Sequence, residues 1–469
     1  MGGAGICVSK NNGKTVTLRE GKNIEGGYAA LSHCWGDGPR LTLNTGSVTK
    51  LTKGINIADL PKTFKDAVLV VKQLGISHLW IDSLCIFQDD SSDWARESAR
   101  MAEVYGNSTI TIAASRAANS SAGFLEERTS RNYVTVPFRA MANRGWVLQE
   151  RYLSPRTIHF DSSQVCFECK TTFITEDNCS ASPSSPNWQY RLPSSNYWET
   201  DWKQVVSLYS QCKLSMKTDK LPALAGIAKY FSNIAAAVSI DNRYLAGLWR
   251  NNIILDLCWQ IDTRKHYQRR DGQYISTTWS WASLNSAIWF RPVKHPLAIF
   301  QNAHIDLDSQ ESPFGKITGG WILLRARKYR LKRKPGNNSK FSVSIFEEGP
   351  SFDVSVLWED QKEADSPPII TDLRDNGPHE APFVAIPLAY YEFGIDFDSD
   401  EVEIFFIVTK AAEHDLPSSV GVKPFERVGS TNLDLRKTDK RRFERLGLYR
   451  GMKGNDECMK DELEDVMLI

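Results

Sequence analysis

Short apolar runs alternate with amphipathic stretches in the first part of the chain. Tyr28-Ala29-Ala30-Leu31-Ser32 is apolar and runs into a segment with Gly36, Gly38 and Pro39, which predicts a buried strand and its end. Leu60-Pro61 then opens a helix with Pro in its first turn. Phe64, Ala67, Val68, Val71 and Leu74 follow at helical spacing, and Gly75 is placed to stop it. His78-Leu79-Trp80-Ile81-Asp82 predicts a second buried strand, and Asp89 to Asp93 supply caps for a helix from about Trp94 to Tyr105. Thr109 to Ala114 is a third strand. Strand, helix, strand, helix, strand over residues 25–115 predicts an α/β unit with right-handed crossovers and a parallel sheet. The reactive crevice of such a sheet lies beyond the carboxyl ends of its strands, here Ser32 to Gly36, Asp82 to Cys85, and the residues after Ala114.

Further on, Arg144 to Leu153 predicts an amphipathic helix halted by Ser154-Pro155. Thr157 to Phe160 and Gln164 to Glu168 read as a hairpin. Residues 181–200 are Ser/Pro-rich and make the best linker. Trp202 to Tyr230 reads as helical, and from about Thr277 the strand pattern dominates in WILLRARKYRL, KFSVSIF, SFDVSVLWE, FVAIPLAYY and VEIFFIVT. The expected organisation is an N-terminal extension (1–24), an α/β domain (25–180), the linker (181–200), a helical segment (201–275) and a β-rich C-terminal domain (276–469).

Composition narrows the classes. The chain has 469 residues, 41% hydrophobic and 24% charged, which suits two or three globular domains. Lys plus Arg is 57 against 56 for Asp plus Glu, a net charge of +1 that argues against a dedicated nucleic-acid binder. No apolar stretch reaches about 18 residues, so no membrane span is expected. The first residues lack the apolar core of a signal peptide, so a cytoplasmic location is expected. The nine cysteines are scattered and odd in number, which suits reduced thiols. Cys166-x-x-Cys169 is the only close pair, and with neither a second pair nor a neighbouring His pair no metal site is expected.

Four segments in this order carry a resemblance: YAALSHCWGDG (28–38), LPKTFKDAV (60–68), LGISHLWIDSLCIFQDDSSDWARESARMAEVYGNSTITIAA (74–114) and RGWVLQERYLSPRTIHF (144–160). The chain resembles fungal HET (heterokaryon incompatibility) domain proteins over about a third of its length. Asp219-Lys220-Leu221, Tyr244 to Trp249 and Trp279 to Ser283 also resemble the region that follows the domain in many fungal proteins. The segment ahead of Tyr28 is shorter than the resemblance leads one to expect, and no NACHT, ankyrin or WD repeats are present. The resemblance implies a role in non-self recognition, innate immunity and programmed cell death. It also implies a distant similarity to TIR domains, and so a TIR/flavodoxin-like fold. Some TIR domains hydrolyse NAD at the nicotinamide–ribose bond through a helix-borne Glu a few residues after a Trp. The matching residue here is Glu97 in Trp94-Ala95-Arg96-Glu97, one residue closer than in the usual TIR pattern.

Glu97 lies between Trp94 and Met101 on its helix, where burial would raise its pKa. A carboxylate there can stabilise an oxocarbenium-like state or act as nucleophile; equally it can bridge to an arginine such as Arg144 or Arg151 and hold the fold. Asp82 ends a buried strand, where it either orients a ribose hydroxyl or receives N–H donors from the next helix start. Ser32, Trp35 and Gly36 lie on the first loop of the sheet, where Gly36 permits close backbone approach and Trp35 either stacks on a planar ring or covers the core. Arg144 and Arg151 flank Gln149-Glu150, and their readings are a pyrophosphate fork or structural salt bridges. His33 pairing with Cys85 as a nucleophile is a further reading, against Cys85 as a small buried hydrophobe. The basic run Arg325 to Lys334 reads either as a phosphate or membrane contact or as a solvated, charge-protected edge.

The sequence therefore supports an incompatibility-type effector acting on a nucleotide, NAD as candidate substrate, with Glu97 and Asp82 as catalytic residues and Ser32, Trp35, Gly36 and Arg144 as ligand contacts. No bound cofactor is expected, and self-association or a partner incompatibility protein is. The alternatives are a non-enzymatic self-associating signalling module and a secondary-metabolism enzyme that reuses the scaffold.

Overall fold

The three apolar runs predicted as strands are strands, and nearly every residue in them is buried. Ala29–Ser32 and Ile110–Ala113 are buried throughout, and His78–Ile81 from its second residue. A strand apolar on both faces belongs inside a sheet covered on both sides, which favours parallel pairing. The computed structural model describes residues 4–8, 14–21, 26–37, 41–128, 144–178, 180–181, 198–237, 242–262, 274–333, 340–344, 351–355, 357–358, 380–393, 401–411, 424–436 and 463–469.

The chain divides into two compact units. The first comprises Met1–Asp201, Cys212–Asn233 and Glu311–Gly315. Its strands are β1 (Ala4–Val8), β2 (Thr15–Glu20), β3 (Ala29–Ser32), β4 (Ile55–Asn56), β5 (His78–Ile81), β6 (Ile110–Ala113), β7 (Arg156–Phe160), β8 (Val165–Cys169), β9 (Phe173–Thr175) and β10 (Ser180–Ala181). They form one sheet in the order β10-β9-β8-β7-β6-β3-β5-β1-β2-β4. The middle four, β7, β6, β3 and β5, pair in parallel, and the flanking strands pair antiparallel. This is a mixed α/β unit. The expected parallel arrangement describes its middle, and residues 4–8 and 15–20 of the N-terminal extension add two strands to its edge.

Between these strands lie the helices α1 (Val48–Lys53), α2 (Lys62–Gln73), α3 (Asp82–Cys85), α4 (Ser91–Gly106) and α5 (Gly145–Leu153), and the helix Pro222–Ala237 also falls largely in this unit. On α2 the residues Phe64, Ala67, Val68 and Val71 are buried, as their spacing predicts, and Gly75 follows the helix end with φ of 70°. The Asp90 side chain caps α4 by accepting from the Ser92 and Asp93 amides. Helix α5 departs from its amphipathic reading: Gly145, Val147, Leu148, Gln149, Glu150 and Tyr152 are all buried. Its polar residues therefore face protein. Gln149 Oε1 accepts from the Gly226 amide at 2.6 Å on the helix Pro222–Ala237, and Arg151 binds Glu168 on β8 through two hydrogen bonds of 2.6 and 2.9 Å. His159 Nε2, on β7, joins the same carboxylate at 2.8 Å. Burial alone would raise Glu168, but Arg151 and His159 override it and hold the acid down at about 2.

The second unit comprises Trp202–Gln211, Ile234–Gln310 and Lys316–Ile469 and is β-rich. Among the described residues its main sheet has 11 strands, and the strand Glu464–Leu468 lies between Ile317–Ala326, its antiparallel neighbour, and Pro424–Arg436, its parallel one. Trp202, Trp249, Trp259, Trp279 and Trp281 are fully buried there. Trp202 and Trp281 both donate their indole N–H to the Gly247 carbonyl, at 3.1 and 3.0 Å. Gly247 has φ of +98°, and a Cβ there would meet Trp281 Nε1 at 2.6 Å, so only glycine fits. Arg427 is fully buried with its guanidinium 3.5 Å from the Trp259 ring centre, and it donates to the carbonyls of Leu257 and Trp259 at 2.7 and 2.5 Å. In the basic run, Lys328 pairs with Glu464 at 3.0 Å and Arg325 with Asp465 at 3.8 Å, so these two cations face acids on the neighbouring strand. Of the Ser/Pro-rich linker, residues 182–197 lie outside the described residues, as does Lys334 of the basic run. No helix among the described residues is long and apolar enough to cross a membrane.

Candidate functional site

The strand order reverses at β3: the chain goes from β3 to β5 on one side and then to β6 on the other. The connections that leave β3 and β6 therefore run to opposite sides, and the carboxyl ends of these two strands are the position at which open α/β sheets take ligands. Ser32 closes β3, and His33 to Asp37 form the first rim loop. The loop after β6 holds it in place, because Ser120 donates its amide and its hydroxyl to the Trp35 carbonyl, at 3.4 and 3.3 Å. Gly36 has φ of +73°, and a Cβ on it would lie 2.3 Å from Asn119 Cβ. Glycine there serves loop-to-loop packing and backbone geometry.

Asp82, the first residue of α3, receives two donors. Trp35 Nε1 donates to Oδ2 at 2.7 Å and the Ser83 amide to Oδ1 at 2.7 Å. His33 Nδ1 stands 3.8 Å from Oδ1. Burial lowers the His33 pKa; Asp82 opposes and Arg144 adds to that effect, so the imidazole is neutral near pH 7. Neither ring nitrogen of His33 makes a hydrogen bond, so His33 does not activate Cys85. The Cys85 sulfur accepts from the Ile81 amide at 3.4 Å instead. Arg144, at the start of α5, donates to the His33 carbonyl.

Glu150, about one and two-thirds turns further along α5, completes the cluster. Burial pushes its carboxyl up to about 7; Arg144, Ser32 and Tyr105 pull it down and Asp82 pushes it up. Tyr105 comes from α4, and its hydroxyl donates to the Leu31 carbonyl at 3.3 Å. Ser32, Trp35, Asp82 and Arg144 thus gather with His33, Tyr105 and Glu150 around the end of β3. The sequence reading gave Glu150 no site role. The signal available was its place on a helix whose neighbouring positions Val147 and Leu148 are apolar, which puts a carboxylate on a buried surface.

Glu97 has different company. It is buried on α4, with Oε1 3.3 Å from Arg100 and 3.8 Å from Arg96, and Oε2 without a hydrogen-bond partner. Burial raises its pKa, with Arg100 opposing. Among the described residues its charge neighbours are Arg100, Asp93 and Arg96, none of which belongs to the Asp82 cluster. Its Cα lies about 12 Å of helix rise from that of Tyr105. Beside it, the Trp94 and Trp146 rings meet edge to face at 6.4 Å, and Trp146 Nε1 donates to Asp219 at 3.1 Å.

Residues 28–140 match the family model described as Heterokaryon incompatibility protein (HET). The match includes Ser32, Trp35, Asp82, Glu97 and Tyr105 and ends before Arg144 and Glu150. No curated protein and no solved structure matches the chain.

Proposed function

With a heterokaryon-incompatibility domain at residues 28–140 as the premise, we propose that the chain is a fungal effector of non-self recognition and programmed cell death. Its α/β unit acts on a nucleotide at the crevice beyond β3, with NAD as substrate and cleavage of the nicotinamide–ribose bond as the reaction. The parallel strands, taken in chain order, lie 2-1-3-4, which supports a flavodoxin-like, TIR-like reading of this unit. The observation that carries the proposal is the Trp35–Asp82 hydrogen bond of 2.7 Å, which fixes an indole at the crevice rim beside two acids, a histidine and an arginine.

In this reading Trp35 stacks on a planar ring of the substrate. Asp82 is a positioning residue, since both of its oxygens already accept hydrogen bonds and one of these orients Trp35. Gly36 and Ser32 bring backbone and hydroxyl to the ligand, and Arg144 neutralises phosphate charge. Glu97 supplies the carboxylate that meets the positive charge developing at the ribose as nicotinamide leaves, which requires the dinucleotide to extend from the end of β3 along α4, since Glu97 shares no charged neighbour with the Asp82 cluster. Its unpartnered Oε2 supports that role.

The test is release of nicotinamide from NAD by the purified full-length protein, alone and after enforced assembly. Glu97→Gln is expected to abolish release while the protein stays folded. A wild-type protein that neither binds nor consumes NAD in any assembly state refutes the proposal. One observation favours a second reading, a non-enzymatic self-associating module: Glu97 Oε1 is held by Arg100, as a structural carboxylate would be. On that reading toxicity survives Glu97→Gln and is lost on surface substitution.

A further inference from the structure

The strand Ile299–Leu307 ends the 11-stranded sheet, and among the described residues it pairs on one side only, with Ile317–Ala326. Such an edge leaves a row of backbone donors and acceptors unpaired, and proteins commonly blunt it by shortness, bulges, lysine or proline. This strand has nine residues, longer than most, and its sequence IFQNAHIDL contains no lysine, arginine or proline. Its two register shifts fall between Phe300 and Asn302 and between Asp306 and Leu307, so Asn302 to Asp306 is a regular run. Ile299, Gln301, Asn302, His304 and Asp306 are exposed. His304 Nε2 lies 2.9 Å from Asp306 Oδ1, and both side chains are more than half exposed.

The order of side chains along this edge is self-complementary. A second copy meets the same edge antiparallel, about a two-fold axis. Opposed residues share a face of the sheet, so that axis passes through a residue and not between two. With the axis at Ala303, Asp306 stands opposite the partner's Phe300. With the axis at His304, that imidazole stands opposite the partner's His304. With the axis at Ile305, His304 stands opposite the partner's Asp306 on both sides of it, and Ala303 opposite the partner's Leu307. In that register, from Ala303 to Leu307, each hydrogen-bonding side chain meets a complementary one and each apolar side chain an apolar one.

We propose that the strand Ile299–Leu307 is a self-association edge, to which a second copy of this chain adds its own Ile299–Leu307 strand, antiparallel and with Ile305 at the two-fold axis. The imidazole N–H of His304, which serves Asp306 of its own chain in the monomer, then serves the partner's Asp306, and the partner's His304 returns the contact. So short a regular ladder makes a reversible dimer whose population depends on concentration. The surface lies in the second unit and does not rest on the nucleotide reading.

The experiment is sedimentation velocity of the full-length protein over a concentration series, with circular dichroism to show that each variant is folded. The wild type is expected to dimerise reversibly. His304→Asp sets like charges opposite each other on both sides of the axis and should weaken the dimer about tenfold. Adding Asp306→His to it restores the complementary order and should restore the dimer. Ile305→Cys reads the position of the axis. Opposed Cα atoms of an antiparallel pair are about 4.5–5.5 Å apart, within disulfide reach, so mild oxidation should yield a reducible dimer beyond the wild-type level. Gln301→Cys should not, because its twin lies about 27 Å away. The proposal is overturned by a wild type that stays monomeric throughout, by a dimer indifferent to His304→Asp, or by a folded double variant that is no more dimeric than the single one. Crosslinking through Gln301→Cys as readily as through Ile305→Cys also overturns it. Should His304→Asp fail to fold, the crosslinking comparison decides.

Discussion

Trp35 Nε1 donates to Asp82 Oδ2 at 2.7 Å, linking the loop after β3 to the first residue after β5 across 47 positions of sequence. The bond ties the loop after β3 to the start of α3 and fixes the polar edge of the indole. Asp82→Asn keeps the size of the side chain but removes the charge that strengthens both of its accepted bonds. A stability loss of about 1–3 kcal/mol is expected by urea denaturation. Trp35→Phe should lose a similar amount, and the double variant should lose less than the sum. Strict additivity would show that the bond does not couple the two loops.

Glu150 makes stability depend on pH in a definite direction. Burial raises its folded pKa to about 7 from an ordinary 4.5, so the folded state holds the proton more tightly than the unfolded one. Its contribution is fully present below about pH 4.5 and is lost as pH rises through about 7, a change on the order of 3 kcal/mol. Glu150→Gln keeps a neutral side chain throughout. The difference in unfolding free energy between variant and wild type should therefore shift toward the variant on going from pH 4 to pH 8. An unchanged difference between those two pH values contradicts this assignment.

Glu168 works in the opposite sense. Its folded pKa of about 2 lies below the ordinary 4.5, so its contribution is present above about pH 4.5 and lost as pH falls through about 2. His159 is lowered by burial, and as a neutral imidazole it can donate through Nε2 to Glu168. Arg151→Ala leaves that buried carboxylate without its main cation and should cost about 3–5 kcal/mol near neutral pH. Arg151→Lys cannot make the two-pronged contact and should recover only part. Full recovery by lysine would mean that charge alone matters here.

In the second unit Arg427 caps a tryptophan core. Arg427→Met keeps much of the apolar stem but takes donors away from the buried carbonyls of Leu257 and Trp259. A loss of about 2–4 kcal/mol follows from two unmade hydrogen bonds, readable in thermal unfolding followed by tryptophan fluorescence. A variant as stable as the wild type would show that water or other donors replace the guanidinium.

Much of the first unit was legible because its signals are local. Apolar runs of four or five residues, the spacing of Phe64, Ala67, Val68 and Val71, and the Asp90 cap each depend on near neighbours alone. The antiparallel strands β1 and β2 were not legible, because β2 alternates buried and exposed positions over only six residues and the pairing of β1 with β5 joins segments some 70 residues apart. The strand Glu464–Leu468 was missed for a related reason: its partners lie far away in sequence, and five residues carry little pattern.

The sequence by itself determined the family resemblance, the alternation of strand and helix, and the placing of Ser32, Trp35 and Asp82 at strand ends, since these follow from periodicity and from motif order. Tertiary structure decided which charged residues share an environment. It put Glu97 beside Arg100 and Arg96, Arg151 beside Glu168, and Glu150 beside Ser32, Tyr105 and Arg144. A side chain's ionisation and partners are set by burial and by charges brought from distant segments, and neither is written in the spacing of its neighbours along the chain.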